Sequence, residues 1–194
     1  MGRHTVQRFS PRQIIYALER PVKHRLPVKR RLERNARVVD LLAALRLSQT
    51  AHTRAMLCEI LGWRKAKSAV PDLIACLNDA DENVRADAAA SLGKIGAPSA
   101  GPALMRQLKK EEGGRNPEII AALGAIGYRE AEEYLTHMLQ DADPINRGAA
   151  AWALGVLPAT NSNPAIQSAL AQETHSYAQA RMQEALEKTA GNNK

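Results

Sequence analysis

The chain has 194 residues, 45% of them apolar but only 4% aromatic, and a formal net charge of +7. A single phenylalanine, Phe9, leaves leucine, isoleucine and alanine to build any core. No apolar run approaches the ~20 residues that cross a bilayer and no signal-peptide core is present, so a cytoplasmic protein is expected.

The charge is uneven along the chain. Residues 1–37 hold eleven basic side chains, Arg3, Arg8, Arg12, Arg20, Lys23, Arg25, Lys29, Arg30, Arg31, Arg34 and Arg37, against only Glu19 and Glu33. Residues 1–31 therefore read as a basic arm outside the rest of the fold, which carries little net charge of its own. Within the arm, Ser10-Pro11-Arg12-Gln13 has the form of a capping box opening a short helix with Ile14, Ile15 and Leu18 on one edge. The prolines of Pro21 to Pro27 predict an extended link. A helix from about Leu32 to Leu47 follows, with Val38, Leu41, Leu42 and Leu45 on its apolar side.

From there the chain repeats itself. Leu61, Leu92, Leu123 and Leu154 recur every thirty-one residues, each followed by a glycine. Leu73, Leu104, Leu135 and Ile166 share a second column, and Leu77, Leu108, Leu139 and Leu170 a third. A fixed period of this size is the mark of a solenoid. In the unit Asp79–Lys110, Val84, Ala88, Leu92 and Ile95 fall on one helical face, Asp81 is placed to cap it, and Gly93 and Gly96 to end it. Pro102 then opens a second helix carrying Leu104, Met105 and Leu108. Neither helix can bury its stripe alone, so the units must stack. The predicted fold is all-α: an α-solenoid of about four 31-residue helix pairs spanning residues 32–190, with atypical caps at both ends and a disordered tail at 191–194. The third unit departs from the pattern at Gly113-Gly114, and Pro117 with Asn116 as cap is expected to open a shorter helix. A closing helix is predicted over Tyr177 to about Lys188, with Ala180, Leu186 and Met182 inward.

The string D-x-x-V-R-x-x-A-A-x-x-L-G-x-I-G at Asp81–Gly96, with A-x-P-x-L at Ala100–Leu104, resembles HEAT-type repeats. The likeness is to the short alanine-rich kind found in phycobilin lyases and bacterial scaffold proteins, and it covers about residues 50–172. It implies that the column Arg54, Arg85 and Arg147, with Asn116 in the third unit, braces the stack against aspartates of the neighbouring units, with Asp81 and Asp143 as candidates beside Asp79 and Asp141. It also implies a concave face lined by the second helices. By spacing, that groove would present Asp72, Ala75, Arg106, Gln107, Lys110, Tyr134, His137 and Met138.

No catalytic constellation stands out. There is no H-E-x-x-H, no phosphate-cradling glycine loop and no nucleophile elbow, and His137 has no second titratable group placed by spacing to tune it. Cys58 and Cys76 lack metal-ligand spacing and are expected as buried, reduced thiols. No metal or cofactor is expected. Trp63 is expected at an exposed turn and Trp152 packed in place of alanine. The reading is a non-enzymatic scaffold that holds a protein through its groove, with the basic arm on a polyanion or an acidic partner. Two alternatives stand beside it: a sequence-nonspecific DNA- or RNA-binding protein making phosphate contacts, and a subunit of a phycobilin lyase-type enzyme.

Overall fold

Alanine-rich runs with leucine at three- and four-residue steps favour helix and leave one stripe to bury. The computed structural model describes residues 8–19, 22–111, 116–158 and 161–191, and every regular element in them is helical. The chain divides into two units, Met1–Ile95 and Gly96–Lys194.

The first unit contains α1 (Pro11–Leu18), α2 (Val22–Asn35), α3 (Val38–Leu47), α4 (Ala51–Trp63), α5 (Val70–Cys76) and α6 (Glu82–Ile95). Its centre is α4 laid against α6. Leu57, Ile60, Leu61, Val84, Ala88 and Leu92 are wholly buried there. The helices approach so closely at Gly62 that a Cβ on it would sit 2.3 Å from Ser91 Oγ. The Ser91 hydroxyl donates to the Cys58 carbonyl at 2.8 Å, so this small polar side chain is satisfied inside the contact. Asp81 caps α6 as its position implied, its Oδ1 accepting from the N–H groups of Asn83 (2.9 Å) and Val84 (3.2 Å).

The second unit contains α7 (Gly101–Lys110), α8 (Pro117–Ala125), α9 (Glu132–His137, running into a 3-10 turn at Met138–Gln140), α10 (Pro144–Val156), α11 (Asn163–Gln172) and α12 (Ser176–Gly191). Here α10 packs between α8 and α12. Gly124 lets α8 reach Ala153, and Gly155 lets α10 reach Ala185; a Cβ on either glycine would come within 2.8 Å of the facing helix. The three leucine columns are buried throughout, except that Leu170 is half-exposed.

Several expectations are corrected. The segment after Pro21 is helical from Val22, with Pro27 inside α2. An interior proline costs a helix about 3 kcal/mol, and packing of α2 on α4 and α1 overrides it here. The helix expected over 32–47 is two, parted where Arg37 is extended and grips Asp40 through two hydrogen bonds at 2.6 and 2.8 Å. Arg64 Nη1 donates to the Ala36 carbonyl at 2.6 Å and secures the chain just beyond α2. The short helix α1, opened by the Ser10–Gln13 capping box, rests on α3 and buries Ile14 and Leu18. In α12 the inward residues are Ala178, Met182 and Ala185, while Ala180 is exposed and Leu186 half-buried. Gly93 lies within α6 instead of ending it. Asn116 does not cap α8 with its side chain. Cys58 is buried as expected, whereas Cys76 is half-buried. Of the tail expected to be disordered, Gly191 ends α12, while residues 192–194 and Gly113-Gly114 lie outside the described residues.

One register position shows how the repeat tolerates exceptions. Lys65, Gly96 and Gly127 are thirty-one residues apart and all left-handed, with φ of 48°, 68° and 69°. The Lys65 and Ala66 N–H groups close α4 on the carbonyls of Gly62 and Leu61, and those of Gly127 and Tyr128 close α8 on Gly124 and Leu123. This is the Schellman ending that favours glycine. A non-glycine residue there costs ~1–2 kcal/mol, offset in part by the extra unfolded-state freedom of glycine. Lys65→Gly should therefore raise stability by about 0.5–1 kcal/mol and Gly127→Ala lower it, read from urea midpoints at constant slope.

Candidate functional site

The arginines of the repeat column sit one turn into the first helix of their units. Arg54 donates to both Asp79 oxygens at 2.7 and 2.8 Å, tying α4 to the loop before α6. Arg147 does the same for Glu173 at 2.6 and 2.7 Å, tying α10 to the segment before α12. Each also reaches back to its own preceding loop. Arg147 Nη1 donates to the Asp141 and Ala142 carbonyls, and Arg85 Nη1 to those of Asp79 and Ala80. Such two-pronged contacts use the planar guanidinium fork, which lysine cannot reproduce.

Asp79, one of the expected aspartates, is the partner of Arg54, whereas Arg147 takes a glutamate, Glu173. Asp81 and Asp143 cap the helices behind them, Asp143 accepting from the Ile145 N–H at 2.8 Å. Glu173 escaped the sequence reading, although it lies twenty-six residues beyond its arginine, against twenty-five for Asp79. Asn116, in the arginine column, instead donates its N–H to the Asn146 side-chain oxygen at 3.0 Å and its Nδ2 to the Glu111 carbonyl.

Glu173 is the most perturbed carboxylate of the set. The Arg147 bonds, helped by the N–H groups of His175 and Thr174, lower its pKa to about 2 against the opposing cost of burial. Asp79 is likewise lowered, chiefly by Arg54.

Of the six groove residues in the second unit, four reach the surface. Arg106, Lys110 and His137 are exposed and Tyr134 half-buried, with Lys109 Nζ over the Tyr134 ring at 5.7 Å. Gln107 and Met138 are buried and belong to the packing, Gln107 bonding to Glu111. In the first unit Asp72 is held by Arg46 at 2.6 and 2.8 Å.

The basic residues separate into two groups. Lys29 pairs with Glu59, Arg37 with Asp40, and Arg31 lies 5.4 Å from the Phe9 ring centre. Arg8, on the approach to α1, Arg12 on α1, and Arg30 and Arg34 on α2 are exposed. No acid of the described residues pairs with Arg12, Arg30 or Arg34. Arg3 and Arg20 lie outside the described residues, as do the side chains of Lys23 and Arg25. Trp63 is 61% exposed, with Lys94 Nζ 4.4 Å from its ring centre and its N–H on Glu59. Trp152 is half-buried between Arg181 and Lys188.

These helix pairs, glycine contacts and arginine clamps agree with the comparison against known families, where a model for HEAT repeats matches residues 38–116 and 117–187. The chain belongs to the HEAT-repeat family. Its fold is the all-α HEAT-repeat solenoid, and the family points to a repeat scaffold for protein interaction. Among solved structures, this HEAT protein is similar to the complex of CpcE and CpcF of phycocyanin lyase from Nostoc sp. PCC7120. The two share 26% identity over 89% of this chain and 74% of that one, with a TM-score of 0.65. No curated protein matches. Among the described residues no helix is long and apolar enough to cross a membrane.

The Glu173 clamp makes stability depend on acid. Because its pKa is lowered from 4.5 to about 2, its contribution is complete above pH 4.5 and is lost as the pH falls toward 2. Wild type should exceed Glu173→Gln in urea stability at neutral pH, and the gap should close over that window.

Proposed function

We propose that this chain is a non-enzymatic, cytoplasmic HEAT-repeat scaffold with two binding faces. One is the surface of α7 and α9, where Arg106, Lys110, Tyr134 and His137 receive a protein partner. The other is the basic segment of residues 1–31 with the continuation of α2, where Arg8, Arg12, Arg30 and Arg34 meet a polyanion or an acidic partner. The observation that carries this reading is a contrast in how the arginines are used. Arg37, Arg46, Arg54 and Arg147 each grip a carboxylate, whereas Arg12, Arg30 and Arg34 stand exposed on their helices with none among the described residues. Charge left uncompensated on a fixed backbone draws an anion at less ordering cost than charge on a flexible tail.

With few aromatics nearby, contacts to a nucleic acid would go to phosphate and be indifferent to sequence. A phosphate-binding face is salt-sensitive, with a log–log slope of about 0.9 per neutralised phosphate on duplex DNA. The triple change Arg12→Glu, Arg30→Glu and Arg34→Glu should abolish retention on heparin and on duplex DNA while leaving the circular dichroism spectrum unchanged. Undiminished retention would remove the basic face from this reading. Capture of a partner that survives nuclease, and is weakened by Arg106→Glu with His137→Ala, would identify the α7–α9 face as the protein-binding one.

A second reading, a subunit of a phycobilin lyase-type enzyme, is supported by the likeness to the CpcE–CpcF complex. It requires a second HEAT-repeat chain as partner and bilin attachment to a phycocyanin subunit by the pair. Absence of any covalent bilin product from the assembled pair would leave the scaffold reading alone.

A further inference from the structure

Trp63 stands where the repeat does not ask for an aromatic. Its column, at the spacing of thirty-one residues, continues with Lys94, Ala125 and Val156. An indole buries more apolar surface than most side chains when it enters a core, yet Trp63, the last residue of α4, is left 61% exposed. It is nevertheless held in place. Its Nε1–H donates to Glu59 Oε1 at 3.3 Å, the same oxygen that pairs with Lys29 of α2, and Lys94 Nζ lies 4.4 Å from the ring centre. The next residue, Arg64, donates to the Ala36 carbonyl at 2.6 Å. The end of α4 therefore lies along the second half of α2, the stretch that carries the exposed Arg30 and Arg34. These two arginines fall on one flank of α2, beside the Lys29 edge that meets α4, and are about 6 Å apart along the axis.

The charges around the ring limit what it can meet. Glu59 borders its edge and Glu33 pairs with Lys29, so an anionic group gains nothing at the ring itself. The exposed cations stand around it: Arg30 and Arg34 on α2, Lys94 on α6, and Lys65 and Lys67 just beyond α4. This pattern fits a ligand whose flat, neutral groups alternate with phosphates and are free to leave their own stack. We infer that Trp63 is a base-stacking platform and that the polyanion met by the basic face is single-stranded nucleic acid. The inference rests on the basic-face reading above and adds the strand type to it. One base stacks on the indole while Arg30 and Arg34 hold phosphates of the same strand. Every base has a flat face, so the preference is for strand and not for sequence. In a duplex the bases are already stacked on one another, and only the phosphate contacts remain.

The test measures binding of the full chain to a labelled DNA single strand, to an abasic strand of the same length and to heparin, at one salt concentration. Wild type should bind the base-bearing strand at least about fivefold more tightly than the abasic one, the lower end of what one stacked base contributes. Trp63→Ala should remove that preference and leave the abasic and heparin affinities as they were, and Trp63→Phe should restore most of it. In Trp152→Phe, where Trp63 is the one remaining indole, emission should fall when the base-bearing strand binds and stay constant with the abasic strand. Equal wild-type affinity for the two strands would overturn the stacking while the basic face stands. So would an unchanged preference in Trp63→Ala with an unchanged circular dichroism spectrum. A loss of equal size on all three ligands in Trp63→Ala would make the residue a structural support and overturn the platform. Failure of wild type to bind any of the three would remove the basic face and this inference together.

Discussion

The structure depends on how closely its first helices can approach one another. At Gly62, Gly124 and Gly155 the backbone of one helix meets the next with no room for a Cβ. Contacts at that distance gain dispersion energy along both helices and exclude water without large side chains. The composition follows from this. A core made by close approach needs alanine and glycine at the seam and leucine beside it, which is why a chain with so few aromatics still folds. The same closeness makes the seam intolerant, since a single added carbon has nowhere to go. It also explains why the glycine of the Leu-Gly pair recurs with the leucine although it ends no helix.

Much of this was legible in the sequence, because burial at a fixed spacing leaves a periodic trace. The leucine columns announced the stack, and Asp81 and the Ser10–Gln13 pair marked helix starts through chemistry that is local. What failed to show was whatever depends on distant partners. Pro27 and the density of arginine argued locally against helix α2, and only its seat on α4 and α1 reverses that. The inward face of α12 was misjudged because apolar character alone cannot choose between Leu186 and Ala185. The choice is made by Gly155, against which Ala185 packs at a distance no leucine could occupy.

The arginine column shows the same division within the candidate site. The arginines could be read from register, and Asp79 with them, but Glu173 could not. Aspartates near a helix start have two uses, and the local one wins: Asp81 and Asp143 cap, leaving Asp79 and Glu173 for the clamps. A carboxylate that accepts from backbone N–H groups and a guanidinium at once, as Glu173 does, is fixed on every side. Such arginines have their charge committed to a carboxylate of the protein itself. The distinction between spent and unspent arginine separates a structural column from a binding face, and charge counting along the sequence cannot draw it.

The surface that would recognise a partner is the part least constrained by the repeat. The second helices run six to ten residues, seven in α5, ten in α7 and α11 and six in α9, against nine to fourteen in the first helices α4, α6, α8 and α10. A short helix that buries one or two leucines leaves its remaining positions to solvent, where substitution costs little stability. Arg106 and His137 occupy such positions, whereas Gln107 and Met138, their immediate neighbours, turn inward. Periodicity records only what the core repeats, so it is silent where neighbouring repeats are free to differ. A repeat fold therefore reveals its architecture in its regularities and its recognition chemistry in the residues that break them.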